Sequence, residues 1–200
     1  MKTQTKETQQ NITPNNAQEI LKTGNERFVK NLRSTKNFQE QVITTSGGQY
    51  PFAVVLSCID SRVPAEIVFD QGIGDLFSVR VAGNIVNEDI LGSIEYGCKV
   101  AGSKIIVVLG HTKCGAITSA CKHVELGNIT ALLSKIEPAV KKVNKEVSDA
   151  SIEETAIVNV ELSMERIRKE SPILKEMEKN GEIKIVGASY NVSNGVVTFL

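Results

Sequence analysis

Two continuous apolar runs constrain the fold of this chain more than any other feature of its sequence. Residues 52–56 read FAVVL and residues 104–110 read KIIVVLG. Neither run alternates polar with apolar positions, so each is typical of a strand buried on both faces of a sheet. Helical periodicity over residues 89–100 and 151–169 predicts helices between and after these strands. The sequence therefore predicts an α/β fold with a mostly parallel β-sheet flanked by helices.

The end of the chain predicts one antiparallel edge strand on that sheet. Asn194 and Gly195 separate the apolar stretches 183–190 and 196–200. Asn-Gly between two such stretches is a strong signal for a tight hairpin turn. Upstream, the amphipathic pattern over residues 128–147 predicts a single helix.

The length of 200 residues predicts one domain with a substantial core. Residues 1–14 are rich in Thr, Gln and Asn and are predicted to be a flexible tail. Residues 15–200 are predicted to form the single α/β domain, in which residues 15–33 form an N-terminal helical arm.

Charge and hydropathy argue against several classes of partner. The chain has 23 Lys and Arg against 23 Asp and Glu, so no net charge attracts nucleic acid or an anionic membrane surface. No apolar stretch resembles a signal peptide or reaches the roughly 18 residues of a membrane span. Four cysteines in a chain without disulfide-scaffold character fit a reducing compartment. We predict a cytoplasmic protein, or a periplasmic one if a leader precedes this sequence.

The ends of the two apolar runs carry the predicted metal site. Cys58 follows the first run, and His111 and Cys114 follow the second. Because the carboxyl ends of neighbouring parallel strands meet at one sheet edge, these side chains are expected to bind one ion. Mixed thiolate and imidazole ligands favour zinc without excluding another divalent metal. Three protein ligands leave a fourth position free, which is typical of a catalytic zinc.

Asp60 admits two interpretations at this stage. It lies two residues after Cys58 and could be a fourth ligand that closes the site. It could instead pair with Arg62 and accept a hydrogen bond from the oxygen that reacts at the metal. Only the second role leaves room for catalysis.

These motifs resemble those of the β-class carbonic anhydrases, and the resemblance spans nearly the whole chain, from about Asn15 to Leu200. The segments that carry it are CIDSR at 58–62, GDLFSVRVAGN at 74–84, SIEYG at 93–97, HTKCG at 111–115 and VVTFL at 196–200.

The resemblance implies a lyase, a carbonic anhydrase that reversibly hydrates carbon dioxide to bicarbonate and a proton by zinc-bound hydroxide. It implies one Zn²⁺ per chain on Cys58, His111 and Cys114, with Asp60 and Arg62 as the catalytic pair. It also implies a homodimer or homotetramer with the active site at the subunit interface and the helical arm reaching over the partner.

By the same resemblance, five positions are expected to bind substrate. For Phe77 and Tyr96, packing in the core explains the aromatic side chain as well as substrate binding does. The five positions are Gln49, Phe77, Ala82, Tyr96 and Gly115.

Relatives regulated by bicarbonate let the aspartate displace water from zinc, and they resemble one another in a tryptophan three residues before the first zinc cysteine. Here that position is Val55, although Arg80 and Tyr190 match the arginine and tyrosine that accompany it. We therefore expect an open zinc site, with Asp60 as a ligand only in a closed state.

Two other functions fit the same residues. A closed four-ligand zinc site would make the chain a non-catalytic structural module. Alternatively, the same fold could hydrolyse carbon disulfide.

Overall fold

A five-stranded sheet forms the centre of the protein in a computed structural model that describes residues 2–200. The strand order is β2-β1-β3-β4-β5, with parallel pairing throughout except for the antiparallel β4–β5 pair. The predicted mixed sheet with one antiparallel edge is confirmed. The strands are β1 (Ala53–Ser57), β2 (Leu76–Arg80), β3 (Ile105–His111), β4 (Lys184–Tyr190) and β5 (Val197–Phe199).

Ten α-helices surround this sheet in the described part of the chain. A 3₁₀ turn at Ala82–Asn84 follows β2, and a π-helical turn at Tyr96–Val100 extends α5. The helices are α1 (Lys6–Asn11), α2 (Pro14–Val29), α3 (Phe38–Thr45), α4 (Ala65–Val68), α5 (Glu88–Glu95), α6 (Gly115–Cys121), α7 (Gly127–Leu133), α8 (Glu137–Val143), α9 (Asp149–Glu170) and α10 (Pro172–Lys179).

The single helix predicted over residues 128–147 is wrong, because two helices, α7 and α8, occupy that stretch. Pro138 lies in the first turn of α8. Proline has no N–H to donate to the carbonyl four residues earlier, so it interrupts one helix but is accommodated at the start of the next.

The predicted N-terminal tail contains helix α1, which the sequence analysis missed. Thr5 caps this helix through a reciprocal hydrogen-bonded box with Thr8. The Gln9 side chain is buried and donates to the carbonyl oxygens of Pro51 and Ala101, at 2.7 and 2.8 Å. A polar side chain can be buried in this way because the backbone acceptors satisfy it.

Alternate residues of each central strand point to opposite faces of the sheet and build two cores. On one face, Val55 and Val107 pack with Leu21 of α2. On the other face, Leu56 and Val108 pack with helices α5, α9 and α10. Both faces are covered, which explains why these strands read as continuous apolar runs.

A third apolar cluster lies at the carboxyl edge of the parallel strands, and it includes Cys58 and Cys114. Gly110 lies in β3 directly before His111 and contacts α9 closely. A Cβ atom at Gly110 would come within 2.6 Å of Val160 Cγ2. The absence of a side chain there lets the end of β3 pack against α9.

Among residues 2–200, no helix has the length and apolar character needed to cross a membrane.

Candidate metal centre

Three buried side chains converge at the carboxyl edge of the sheet. Cys58 follows β1, His111 is the last residue of β3, and Cys114 is the N-cap of α6. Their ligand atoms all lie within 4.8 Å of one another, and the two sulfur atoms are 4.0 Å apart. Strand order places β1 beside β3, so the fold brings together donors that are more than 50 positions apart in the chain.

His111 is oriented with one ring nitrogen available to a metal. Its Nδ1 lies 2.9 Å from the carbonyl oxygen of Thr112, which accepts a hydrogen bond from that nitrogen. Its Nε2 is buried and has no hydrogen-bond partner among the described residues. A buried imidazole nitrogen is costly to leave unpaired, so this atom is suited to a metal bond.

The two thiols share their protons unequally. The hydrogen bond with Cys114 lowers the pKa of Cys58 to about 4 despite burial, and His111 and the Gly83 N–H, 3.3 Å from the sulfur, act in the same direction. The same sulfur contact, together with burial, raises the pKa of Cys114. The pair therefore loses its first proton readily and its second only with a cation nearby.

The cluster also affects the protonation of His111. Burial lowers the pKa of this imidazole, but its contact with the Cys58 thiolate outweighs burial, and the net pKa is raised. A cation bound here would replace these shared protons.

The donor set and its spacing fit Zn²⁺. Two thiolates on one tetrahedral zinc lie about 3.8 Å apart, because Zn–S bonds are about 2.3 Å long. The observed sulfur separation of 4.0 Å is close to that value. Two sulfurs and one imidazole nitrogen also make a softer donor set than magnesium or calcium prefers.

Asp60 is held by Arg62 beside this cluster. Arg62 donates from Nε to Oδ1 at 2.9 Å, from Nη2 to Oδ2 at 2.7 Å and from its backbone N–H to Oδ1 at 2.9 Å. These bonds hold the pKa of Asp60 well below its usual range. The Oδ2 atom lies 4.0 Å from His111 Nε2, so an ionised acceptor faces the cluster.

Arg80 contacts the backbone of the segment that follows β1. Its Nε donates to the carbonyl oxygen of Cys58 at 3.1 Å, and its Nη2 donates to that of Asp60 at 2.7 Å. The guanidinium of β2 therefore fixes the backbone that carries both residues.

The five predicted substrate positions do not lie together in one chain. Ala82 precedes Gly83, the donor to Cys58, and Gly115 follows Cys114, so both lie beside the cluster. A Cβ atom at Gly115 would meet nothing within 4 Å. Gly115 therefore borders open space at the cluster.

Gln49 lies at the wrong end of the sheet to contact the metal ligands of its own chain. It precedes β1, whereas Cys58 follows that strand. Five residues of strand span roughly 16 Å. Gln49 and Cys58 of one chain are therefore separated by the length of β1, and the role of Gln49 in binding substrate stays a prediction.

Phe77 and Tyr96 form an edge-to-face pair with ring centroids 6.2 Å apart. They line a surface groove of about 760 Å³ together with Arg80 and residues of α5. Phe77 also packs against the core beneath α5. Core packing thus explains part of the position of the Phe77 side chain. It does not explain Tyr96, which is 54% exposed.

Comparison with known proteins places the chain in a family. A family profile described as carbonic anhydrase matches residues 53–197. The chain is 34% identical over 191 residues to carbonic anhydrase 2 of Mycobacterium tuberculosis, with 92% of each chain covered. Its fold matches the β-carbonic anhydrase CafA of Aspergillus fumigatus with a TM-score of 0.74 and 25% identity, covering 81% of each chain.

The chain belongs to the β-class carbonic anhydrases. The resemblance found in the sequence is thereby confirmed, and so is the assignment of the chain as an enzyme of this type. A tetrameric β-carbonic anhydrase from Sordaria macrospora has the same fold, with a TM-score of 0.72 at 21% identity, and the match covers 81% of this chain and 90% of the other.

Sequence reasoning missed two contacts in this carbonic anhydrase. Gly83 lies in the segment 74–84 with no predicted role, yet its N–H donates to Cys58. Glu153 of α9 accepts a hydrogen bond from the backbone of Lys113. No local pattern could reveal Glu153, because it lies in an ordinary amphipathic helix 40 residues away from its partner.

Proposed function

We propose that this carbonic anhydrase holds one Zn²⁺ per chain on Cys58, His111 and Cys114 and reversibly hydrates carbon dioxide to bicarbonate and a proton. The observation that carries the proposal is the buried His111 Nε2, unpartnered in the described chain, beside two sulfurs 4.0 Å apart. Zn²⁺ bound there would supply a Lewis acid that lets water ionise near neutral pH, as is established for carbonic anhydrases.

Asp60 orients the reacting water in this proposal. Its carboxylate is ionised because Arg62 donates to both of its oxygens. An ionised carboxylate can only accept hydrogen bonds, so Oδ2 would accept a hydrogen bond from the O–H group of the reacting water. The lone pair of that oxygen would then be free to attack carbon dioxide.

The same contacts support an open metal site. With both oxygens bonded to Arg62, the Asp60 carboxylate is not a member of the ligand cluster in the described chain. A fourth position would then remain for water. A closed structural site would require Asp60 to leave Arg62.

We propose that a second copy of the chain completes the substrate pocket. Gln49, at the opposite end of β1 from Cys58, could serve only a neighbouring chain's metal site. Large apolar side chains exposed near Gln49 and near the cluster support such an interface. They include Phe38, Val42 and Ile43 of α3 and Ile59 beside Asp60.

A homodimer or homotetramer would bury these side chains. Because Leu21 packs α2 onto the sheet of its own chain, the predicted helical arm, residues 15–33, would contact the partner through its exposed side. Tyr96 and Phe77 line an open groove. A partner could therefore cover them and give them a place in the shared pocket.

We also propose a cytoplasmic location. Cys58 and Cys114 must stay reduced to bind zinc, and a reducing compartment maintains this state.

Stopped-flow carbon dioxide hydration between about pH 6.5 and 9 tests the proposal on protein whose metal content has been measured, since the pH profile reports the groups that control the reaction. We expect rapid hydration with about one zinc per chain, lost on chelation and in Cys114→Ser. Hydration confined to alkaline pH would contradict the open site. Zinc without hydration at any pH would contradict the proposal, and turnover of carbon disulfide by that same protein would assign the alternative substrate.

A further inference from the structure

One acidic side chain outside the ligand set contacts the loop between the second and third proposed ligands. Oε1 of Glu153 accepts a hydrogen bond from the backbone N–H of Lys113 at 2.7 Å. Lys113 lies between His111 and Cys114. We propose that Glu153 is a positioning residue that holds this ligand loop, residues 112–114, in its metal-binding geometry. The inference rests on the proposed metal site.

The backbone of Lys113 has a strained conformation. Its φ angle is +55°, in the left-handed region that side-chain-bearing residues rarely adopt. That conformation is unfavourable for a residue other than glycine, because its Cβ atom comes close to the following carbonyl oxygen. A hydrogen bond from its N–H to an ionised carboxylate is stronger than a neutral one, so it offsets this cost and fixes the direction of the peptide.

The rest of the loop is anchored to another element. The Thr112 N–H donates to the Tyr190 carbonyl oxygen at 3.0 Å, and the Val192 N–H donates to Thr112 Oγ1 at 3.1 Å. These contacts tie Thr112 to the end of β4. Towards Cys114, the described contact of the Lys113 N–H is with Glu153.

Lys113 also links the ligand loop to the Asp60–Arg62 pair. The Lys113 carbonyl oxygen accepts a hydrogen bond from Arg62 Nη2 at 3.3 Å. Arg62 in turn donates to both oxygens of Asp60. Glu153 thus sets the position of a backbone segment that contacts the ligands on both sides and the guanidinium facing Asp60.

Helix α9 makes Glu153 a firm anchor. The helix is 22 residues long and begins with a hydrogen-bonded capping box between Ser148 and Ser151. Further along, Val160 of α9 packs over Gly110, next to His111. Glu153 belongs to α9, and the strand that carries His111 packs against the same helix. This packing therefore fixes the distance between Glu153 and His111.

Metal release and a cobalt spectrum test the inference without relying on catalysis. The variants are Glu153→Ala, which removes the acceptor, and Glu153→Gln, which keeps an acceptor oxygen. The matched control is Glu154→Ala, since the adjacent Glu154 is exposed and pairs with Lys145 at 2.5 Å. Each protein would be loaded with Zn²⁺ or Co²⁺ and mixed with an excess of chelator.

We expect Glu153→Ala to release zinc about tenfold faster than the unmodified protein, since partners that orient ligands typically change metal affinity 10- to 100-fold. Its Co²⁺ absorption bands should shift. Glu153→Gln should remain within about threefold of the unmodified rate, and Glu154→Ala should match it.

An unchanged release rate and unchanged Co²⁺ spectrum in Glu153→Ala would overturn the inference. The inference would also be overturned if Glu153→Ala and Glu153→Gln released zinc equally fast and both metal-free variants had lower melting temperatures. That result would show a general structural role for Glu153. If the unmodified protein binds Co²⁺ but does not hydrate carbon dioxide, the proposed function fails while the release rates still decide the role of Glu153.

Discussion

Arg62 holds both oxygens of the Asp60 carboxylate, with Nε–Oδ1 at 2.9 Å and Nη2–Oδ2 at 2.7 Å. This geometry leaves Asp60 unable to donate a proton. It also fixes which oxygen faces His111, since Oδ2 is the atom 4.0 Å from Nε2. The pair therefore sets both the charge and the direction of the acceptor beside the metal ligands.

Replacing Asp60 with asparagine should slow carbon dioxide hydration by about 100-fold, because an amide can donate where the carboxylate could only accept, and positioned proton acceptors contribute at least this much. Zinc content should be unchanged, since Asp60 is not among the clustered ligands. Stopped-flow hydration with metal analysis measures both quantities. Glu125→Gln on the exposed loop after α6 is the control, and loss of zinc in Asp60→Asn would show instead that Asp60 is a ligand.

Removing the Arg80 guanidinium should loosen the segment that carries Cys58 and Asp60. Arg80→Met loses two charge-assisted hydrogen bonds to backbone carbonyls. We expect a loss of about 2 kcal/mol in the free energy of unfolding, measured by urea denaturation, and slower hydration. Arg80→Lys should retain part of the stability and part of the hydration activity. A variant as stable and active as the unmodified protein would show that the two bonds contribute nothing to the site.

Metal removal should expose Cys58 and Cys114 to oxidation. The Cys58 thiolate, with its pKa near 4, would attack hydrogen peroxide to give a sulfenic acid and release hydroxide. Condensation of the sulfenic acid with the Cys114 thiol would then release water and form a disulfide, since the sulfurs are 4.0 Å apart and need to close by about 2 Å.

Intact-mass measurement should show a loss of about 2 Da in metal-free protein only, because the disulfide replaces two thiol hydrogens. Buried Cys98, whose pKa burial raises to about 12, is the internal control and should stay reduced. Oxidation at equal rates with and without zinc would contradict metal ligation by these thiols.

Subunit complementation should show whether Gln49 acts across an interface. Gln49→Ala and Cys114→Ser homo-oligomers should each be weakly active or inactive. In a hybrid, the metal site of the Gln49→Ala chain would face an intact Gln49 from its partner, so mixing after mild dissociation should restore activity. Hybrids no more active than Gln49→Ala alone would place Gln49 outside the shared pocket.

The buried Asp70 carboxylate should control acid stability. Burial raises its pKa, but hydrogen bonds from Lys36, Arg27 and the Ser34 N–H outweigh burial, and the pKa is lowered to about 2. A depressed pKa adds stability above the unfolded value of about 3.9, and that stability is lost as the pH falls towards 2.

Asp70→Asn should therefore lower the free energy of unfolding by about 3 kcal/mol at pH 7, because Lys36 is left buried without its anion. The gap to the unmodified protein should narrow by about 1 kcal/mol at pH 3, by urea denaturation. Exposed Glu176→Gln is the control. A gap that is constant from pH 7 to pH 3 would contradict the assigned ion pair.

Much of the fold could be predicted because burial of a strand on both faces leaves a local signature. The runs ending at Leu56 and Gly110 became the two central strands of the parallel sheet. Helix α1 escaped prediction because the contacts that bury it, from Gln9 to the carbonyl oxygens of Pro51 and Ala101, join residues far apart in the chain. The break before α8 was missed because apolar periodicity continued past Pro138.

The sequence by itself determined the strand ends and the donor types placed there: thiolate after β1, and imidazole and thiolate after β3. Tertiary structure decided what surrounds them. It put Glu153 against Lys113, turned Arg80 onto the backbone of Cys58, and left Gln49 at the far end of β1. Periodicity and ligand chemistry are local properties of a chain, whereas contacts between distant residues exist only once the sheet and helices have packed.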